Sequence, residues 1–303
     1  MPILGKKKRV GILRGGEEDY ENSLYKGGEV FLHIFENLAD RWLPQDILID
    51  LSGVWHLAGL PIQPIELPNK VDVIWNTTHP SFSGVVENLR IPNVGPSSFS
   101  RALADNHLIL AKHLQGTDLK VSRQIVLPVY QEDFDGPREK YSIKKAKEVH
   151  EKFSPPWLVK SLIPDPDLPV RVAKTFSELV EAIEDGVNHQ RSILVEEFIS
   201  NRKALTYSVS GFREQNVYVF PPVGNFNKEE KEKLISLTKD LRRNLNVQDY
   251  LQTNFVLHPQ RGIFLSGLYF SPNLKIDSDF HRACQSVGTK MHEIVEHMLE
   301  SVL

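Results

Sequence analysis

An α/β fold opening with a parallel sheet is what this sequence predicts, and three observations predict it. A buried-strand run at 9–13 ends at Gly15-Gly16 and is followed by helical spacing. Strand and helix patterns then alternate through the first third of the chain. Late in the chain, the stretch TNFVLHPQRGIFLSGLYFSPN reads as two short strands around the turn His258-Pro259-Gln260-Arg261-Gly262.

Each element follows from its own pattern. After the first strand, residues 28–42 carry helical spacing, with Val30, Phe31, Ile34, Phe35 and Leu38 on one face. DILIDL at 46–51 and VDVIWN at 71–76 are the next strands, and residues 84–89 form a short helix. One helix is expected over 97–114, capped by Ser97 or Ser98. A strand at 124–129 and a polar loop at 131–139 lead to a charged helix at 141–153. Strands follow at 157–161 and 170–173, then a helix opening at Ser177 with Glu178 in its first turn, where a carboxylate suits the positive end. A strand at 193–199 precedes strands at 204–211 and 215–220, a long helix at 228–245, the hairpin, and a final helix at 285–302.

Composition narrows the function classes. The 303 residues suffice for two or three domains, and 41% apolar with 25% charged residues is the balance of a globular protein. A net charge of -3 and the lack of a basic stripe with interleaved aromatics argue against nucleic acid or an acidic membrane as partner. The single cysteine, Cys284, allows neither an internal disulfide nor a multi-thiolate zinc site. The basic run Lys6-Lys7-Lys8-Arg9 leads straight into a strand and reads as its solvated entry. With no signal peptide and no long apolar run, the cytoplasm is the expected location.

Six segments occur in an order that points to one family: RVGILRGGEEDYENSLYKGGEV, VDVIWNTTHP, LRIPNVGPSSFSRALADN, PPWLVKS, ILVEEFI and SDFHRACQSVG. Together they resemble the D-alanine–D-alanine ligases of the ATP-grasp superfamily, over nearly the whole chain. The resemblance implies an N-terminal parallel-sheet, Rossmann-like (pre-ATP-grasp) domain at 1–96, followed by two ATP-grasp subdomains at 97–200 and 201–303. It also implies a reaction in which ATP phosphorylates one amino-acid carboxylate and the amine of a second attacks the acylphosphate. Such chemistry needs charge neutralisation around the phosphoryl group, which the family supplies with lysines, a glycine-rich loop, magnesium and a closing loop.

The same resemblance sets the candidate residues. Lys160 matches the family's phosphate-contacting lysine, and Glu196, Glu197, Phe198 and Ile199 match its adenine-binding strand segment. Glu21 and Ser23 look like its substrate-side Glu-x-Ser, His79 like the histidine near the first substrate, and Ser278 like the serine near the second carboxylate. The chemical centre departs from the pattern. The segment after Lys160 has no glycine and has three prolines among residues 161–169. The family's metal-binding Asp, Glu and Asn fall on Asn254, Gly267 and Tyr269, so magnesium is not expected, whereas ATP is the cofactor the resemblance implies. The closing loop shrinks to 221–227, a second phosphate lysine falls on Asn106 or His107, the basic residue before the hairpin falls on Gln252, and the ribose-binding acid falls near Lys203.

The expectation is therefore a catalytically degenerate homologue that binds a nucleotide, another small molecule or a protein partner, and that pairs as a homodimer, as family ligases commonly do. The alternative is an active carboxylate–amine ligase of cell-wall precursor synthesis with a metal site rebuilt on Asp277 or Asp279. A third reading is a scaffold with filled clefts.

Overall fold

A computed structural model describes residues 7–16, 20–78, 82–162 and 167–303, the side chains of Asp105, His107 and Leu108 excepted. Strand β1 (Lys8–Gly15), helix α1 (Tyr20–Asn37), strands β2 (Trp42–Ile49), β3 (Trp55–Leu57), β4 (Leu60–Pro61) and β5 (Val73–Asn76), helix α2 (Ser83–Asn88), strand β6 (Asn93–Val94) and helices α3 (Ser98–Asp105) and α4 (His107–His113) come first. Next are β7 (Lys120–Val121), β8 (Gln124–Leu127), α5 (Glu132–Asp135), α6 (Arg138–Lys152), β9 (Trp157–Ser161), β10 (Arg171–Ala173), α7 (Phe176–Asn188) and β11 (Ile193–Glu197). The chain finishes with β12 (Arg202–Ser210), β13 (Val217–Val219), α8 (Lys228–Leu245), β14 (Tyr250–His258), β15 (Gly262–Tyr269), α9 (Asp279–Ser286) and α10 (Met291–Ser301).

These elements divide into two compact units. The first holds Met1–Asp118, Ala204–Asn254 and Gly267–Leu303; the second holds Leu119–Lys203 and Phe255–Ser266. The sequence segment 1–96 lies in the first unit, and 97–200 and 201–303 are each distributed over both.

In the first unit a six-stranded sheet runs in the order β4-β3-β2-β1-β5-β6. Strands β2, β1, β5 and β6 are parallel, and β3 and β4 extend the edge antiparallel. The apolar run of β1 is buried on both faces, as a central parallel strand requires. Residues of β1, α1 and β5 share a core with β12, α9 and α10, centred on the rings of Tyr207, Phe220, Tyr250 and Phe280. Phe280 lies 5.0 Å from Tyr207, 5.2 Å from Tyr250 and 5.6 Å from Phe220, in the tilted and edge-on arrangements that ring quadrupoles favour.

In the second unit the antiparallel sheet β10-β9-β11-β8 is covered by α6 and α7. Trp157, Val159, Ile193 and Val195 meet Ala146, Val149, Leu179 and Ile183 there, with Trp157 fully buried. A third sheet has the order β13-β12-β14-β15-β7, and β14 and β15 each carry residues of both units.

Several boundaries differ from the sequence expectation. The first helix spans Tyr20–Asn37, not 28–42, and Trp42 belongs to β2 opposite Lys8. Gly27 is inside the helix because a Cβ there would come within 2.9 Å of the Arg14 Cβ, so close packing, not chain breaking, selects the glycine. The helix expected over 97–114 is two helices: Ser97 caps α3 by accepting from the Ser100 amide, and Asn106 breaks the run and caps α4 through the Ile109 amide. The final helix is likewise two, separated at Gly288, whose φ of +68° is helix-ending. Thr175, not Ser177, caps α7. The strands β3 and β4 and the short α5 carry patterns too brief to read.

Candidate functional site

The second unit gathers the nucleotide-side candidates on two adjacent strands. Lys160 stands on β9 opposite Leu194 of β11, and Glu196 and Glu197 end β11 opposite Leu158 and Trp157. Period-2 alternation places the two glutamates on opposite faces of the strand, and both are buried. Buried carboxylates need partners, and each has one or more. The Lys160 Nζ lies 2.7 Å from the Glu196 Oε2. The lysine expected to meet a phosphate is thus neutralised by the glutamate expected to meet adenine.

Glu197 is held more completely. Arg123 donates to both of its oxygens, from Nε at 3.0 Å and from Nη2 at 2.9 Å. Arg261, in the turn of the late hairpin, donates from Nη1 at 2.6 Å and from Nη2 at 3.1 Å. Two planar guanidiniums therefore grip one carboxylate bidentately, the strongest arrangement such groups make. Arg123 above all, with Arg261, holds the Glu197 carboxyl down at about 2, against the cost of burial. Each guanidinium also faces a ring, Arg123 over Phe153 at 5.6 Å and Arg261 over Phe264 at 4.9 Å. Neither arginine is legible as a site residue in the sequence, because the pairs join positions 74 and 64 residues apart.

The backbone of this segment is engaged as well. The Glu197 amide donates to the Arg123 carbonyl at 2.8 Å, and the Phe198 amide to the Pro156 carbonyl at 3.0 Å. Phe198 and Ile199 are half-buried. Lys203, the second residue of β12, is exposed where the family pattern has an acid.

The substrate-side candidates lie in the first unit, and two of them, Ser23 and Ser278, are occupied by the fold. The buried Ser23 Oγ accepts from the Gly15 amide at 2.8 Å, tying α1 to the end of β1. Ser278 caps α9, accepting from the His281 amide at 3.1 Å and donating to the Asn273 carbonyl at 3.1 Å. Glu21 is exposed in the first turn of α1. His79 and Pro80 lie outside the described residues, as do residues 163–166 of the segment after Lys160.

At the hairpin, the donor set does not fit magnesium. Asn254 offers a neutral oxygen that already accepts from the Gln252 Nε2 at 3.0 Å. Gly267 has no side chain, and a Cβ built there would lie 3.2 Å from the Tyr269 Cε2 and 3.7 Å from the Asn254 Cβ. The Tyr269 ring thus takes the space a ligand at 267 would enter. A hard divalent cation wants several anionic oxygens, and this trio supplies none. Asp279 pairs with Arg282, and the exposed Asp277 carboxylate lies 3.9 Å from the His281 Nδ1. Among the described residues no three His, Cys, Asp or Glu side chains cluster as metal ligands. The connection from β13 to α8 is short and is pinned by a bridge between Leu205 and Val223. No helix among the described residues is long and apolar enough to cross a membrane.

Comparison with known proteins adds the following. No protein-family model matches the chain. It is 22% identical over 242 residues to the D-alanine–D-alanine ligase of Helicobacter pylori strain P12, covering 78% of this chain and 65% of that protein, so the match spans about two thirds of the relative's length. Its structure superposes on the D-alanine–D-alanine ligase of Coxiella burnetii with a TM-score of 0.79 at 14% identity, over 98% and 95% of the two chains. The D-alanine–D-alanine ligase of Bacillus anthracis complexed with ATP matches with a TM-score of 0.74 at 16% identity, over 97% and 96%.

Proposed function

On the premise that the chain carries a D-alanine–D-alanine ligase-type ATP-grasp fold, we propose that it is a catalytically degenerate homologue, a binding protein that holds a nucleotide without turning it over. One observation carries this reading: Gly267 stands between Asn254 and Tyr269 at the family's metal positions, with the tyrosine ring against it, so no carboxylate is present to hold magnesium. Phosphoryl transfer depends on cations that neutralise the developing charge. The Lys160–Glu196 pair argues the same way, because a lysine already neutralised contributes little to a transferred phosphate. The resemblance of the framework to ATP-dependent ligases supports the retained nucleotide, bound here independently of magnesium. On this reading the chain acts as a partner-binding or regulatory protein and pairs as a homodimer, which sedimentation equilibrium measures directly.

The test is an incubation with ATP, magnesium and D-alanine, followed for phosphate release, together with a thermal-shift titration. Phosphate release is expected at the level of the protein-free blank. ATP at a hundredfold excess over its dissociation constant should stabilise the protein by about 2.7 kcal/mol. Turnover that disappears in Lys160→Ala would overturn the degenerate reading in favour of an active carboxylate–amine ligase. A melting temperature indifferent to ATP would overturn the nucleotide-binding part.

A further inference from the structure

A cavity of about 420 Å³ opens within the first unit, apart from every candidate residue above. It borders the edge strand β6 and the loop that follows it, and it is reached by the C-terminal ends of α8 and α10 at Asn246 and Val302. Helix C-termini present partial negative charge. Two carboxylates, Glu87 and Asp249, also line the cavity, and among the described residues no lysine, arginine or histidine does.

Asp249 is the notable group. Its side chain is buried, the residue being 9% exposed. Its Oδ2 accepts from the Gly95 amide at 3.0 Å, and its Oδ1 accepts no hydrogen bond from the described residues. The cation that acts on it electrostatically, the buried Arg242, spends its hydrogen bonds elsewhere. It donates to the main-chain carbonyls of Ser208 at 3.1 Å, Gln248 at 2.9 Å and Asp249 at 2.8 Å, leaving the carboxylate itself unbridged. Glu87 spends its two oxygens on the Ser98 amide and hydroxyl, each at 2.7 Å. A buried carboxylate without a salt-bridge partner is costly, and burial pushes Asp249 up to about 6 despite the Gly95 amide and Arg242. The remaining lining is rich in hydroxyls and amides, among them Ser97, Ser301, Asn93 and Gln248.

We infer that this cavity binds a small hydroxylated primary amine, with the ammonium seated on the free Asp249 oxygen and the hydroxyls on the serine and amide rim. The volume is that of a small-molecule site and far exceeds a bare ion, and the absence of a third metal-ligating side chain in the described residues agrees. An ammonium supplies the donor and the charge that Asp249 lacks. A neutral polyol supplies only the donors.

Isothermal titration calorimetry on the full chain tests this, with D-glucosamine as probe and D-glucose as the matched sugar without the ammonium. At pH 7.5 and low salt, D-glucosamine should bind at least tenfold tighter than D-glucose, and Asp249→Asn should abolish that preference. The asparagine can keep the Gly95 contact through its carbonyl oxygen. In the wild type the affinity for D-glucosamine should fall about fivefold between pH 7.5 and pH 5, because a carboxyl titrating near 6 is mostly protonated at the lower pH, a loss only partly offset by fuller protonation of the sugar's own amine. That measurement decides the matter should Asp249→Asn not fold. Equal affinity for the two sugars, no heat up to about 10 mM D-glucosamine, or a pH-indifferent affinity would each overturn the inference. The nucleotide reading is untouched by any of these outcomes, since the ATP thermal shift is read separately.

Discussion

Replacing Glu197 by glutamine removes the one charge on which Arg123 and Arg261 converge while leaving the shape of β11 intact. Losing one partner of a fully buried ion pair costs about 3–5 kcal/mol, and a fully exposed pair is worth about 0–1 kcal/mol. This site lies between those limits: the carboxylate is 8% exposed, but the guanidiniums are 56% and 40% exposed and can be rehydrated. A loss of about 2 kcal/mol is therefore expected near neutral pH, roughly a thirtyfold rise in the local opening constant. The folded pKa lies below the unfolded value, so this stabilisation is present above about pH 4.3 and drains away as the pH falls toward about 2. Hydrogen exchange of the wild type and Glu197→Gln, read on peptides covering β11 and 255–266, measures it. Faster exchange confined to those peptides at pH 7, with a gap that narrows at pH 4, is the expected result. A difference below about 0.5 kcal/mol at pH 7, or one that does not change with pH, would refute the reasoning.

Three further outcomes follow from the same structure. Phe280→Ala should destabilise the first unit by about 3–5 kcal/mol in urea denaturation, because it empties the centre of a four-ring cluster. Cys284, fully buried and with its thiol pushed up to about 12 by burial, should be inert to a disulfide reagent in the native protein and titrate fully in denaturant. Gly267→Glu alone should show no magnesium binding by calorimetry, because the Tyr269 ring occupies the approach. Binding should appear only when Asn254→Asp and Tyr269→Asn are added.

What the sequence made legible and what it hid separate along physical lines. The strand at 157–161 and the helix at 228–245 have the bounds their patterns predict, because apolar periodicity and an Asn227 cap with Glu230 in the first turn are local signals. The helix breaks at Asn106 and Gly288 are hidden in the sequence because apolar spacing continues across them while the backbone does not. The parallel sheet, the short connection before α8 and the lack of carboxylates in the hairpin were all readable. The partners of the candidate residues were not. Nothing near Glu197 in the sequence announces Arg123 or Arg261, and nothing near Asp249 announces the Gly95 amide. Motifs place a side chain on an element, whereas long-range pairing decides whether its charge remains available.

The threading of the chain has a consequence for how the protein is made. Its path changes unit at 118/119, 203/204, 254/255 and 266/267, and the core of the first unit joins β1 and α1 to α9 and α10. During synthesis the opening strand and helix therefore leave the ribosome long before the helices that cover them. All residues of the second unit have emerged by position 266, ahead of those helices. The second unit can complete first, while the N-terminal apolar faces, met by then only by residues of 204–254, still lack α9 and α10 and stay prone to association, a natural client state for a chaperone holdase.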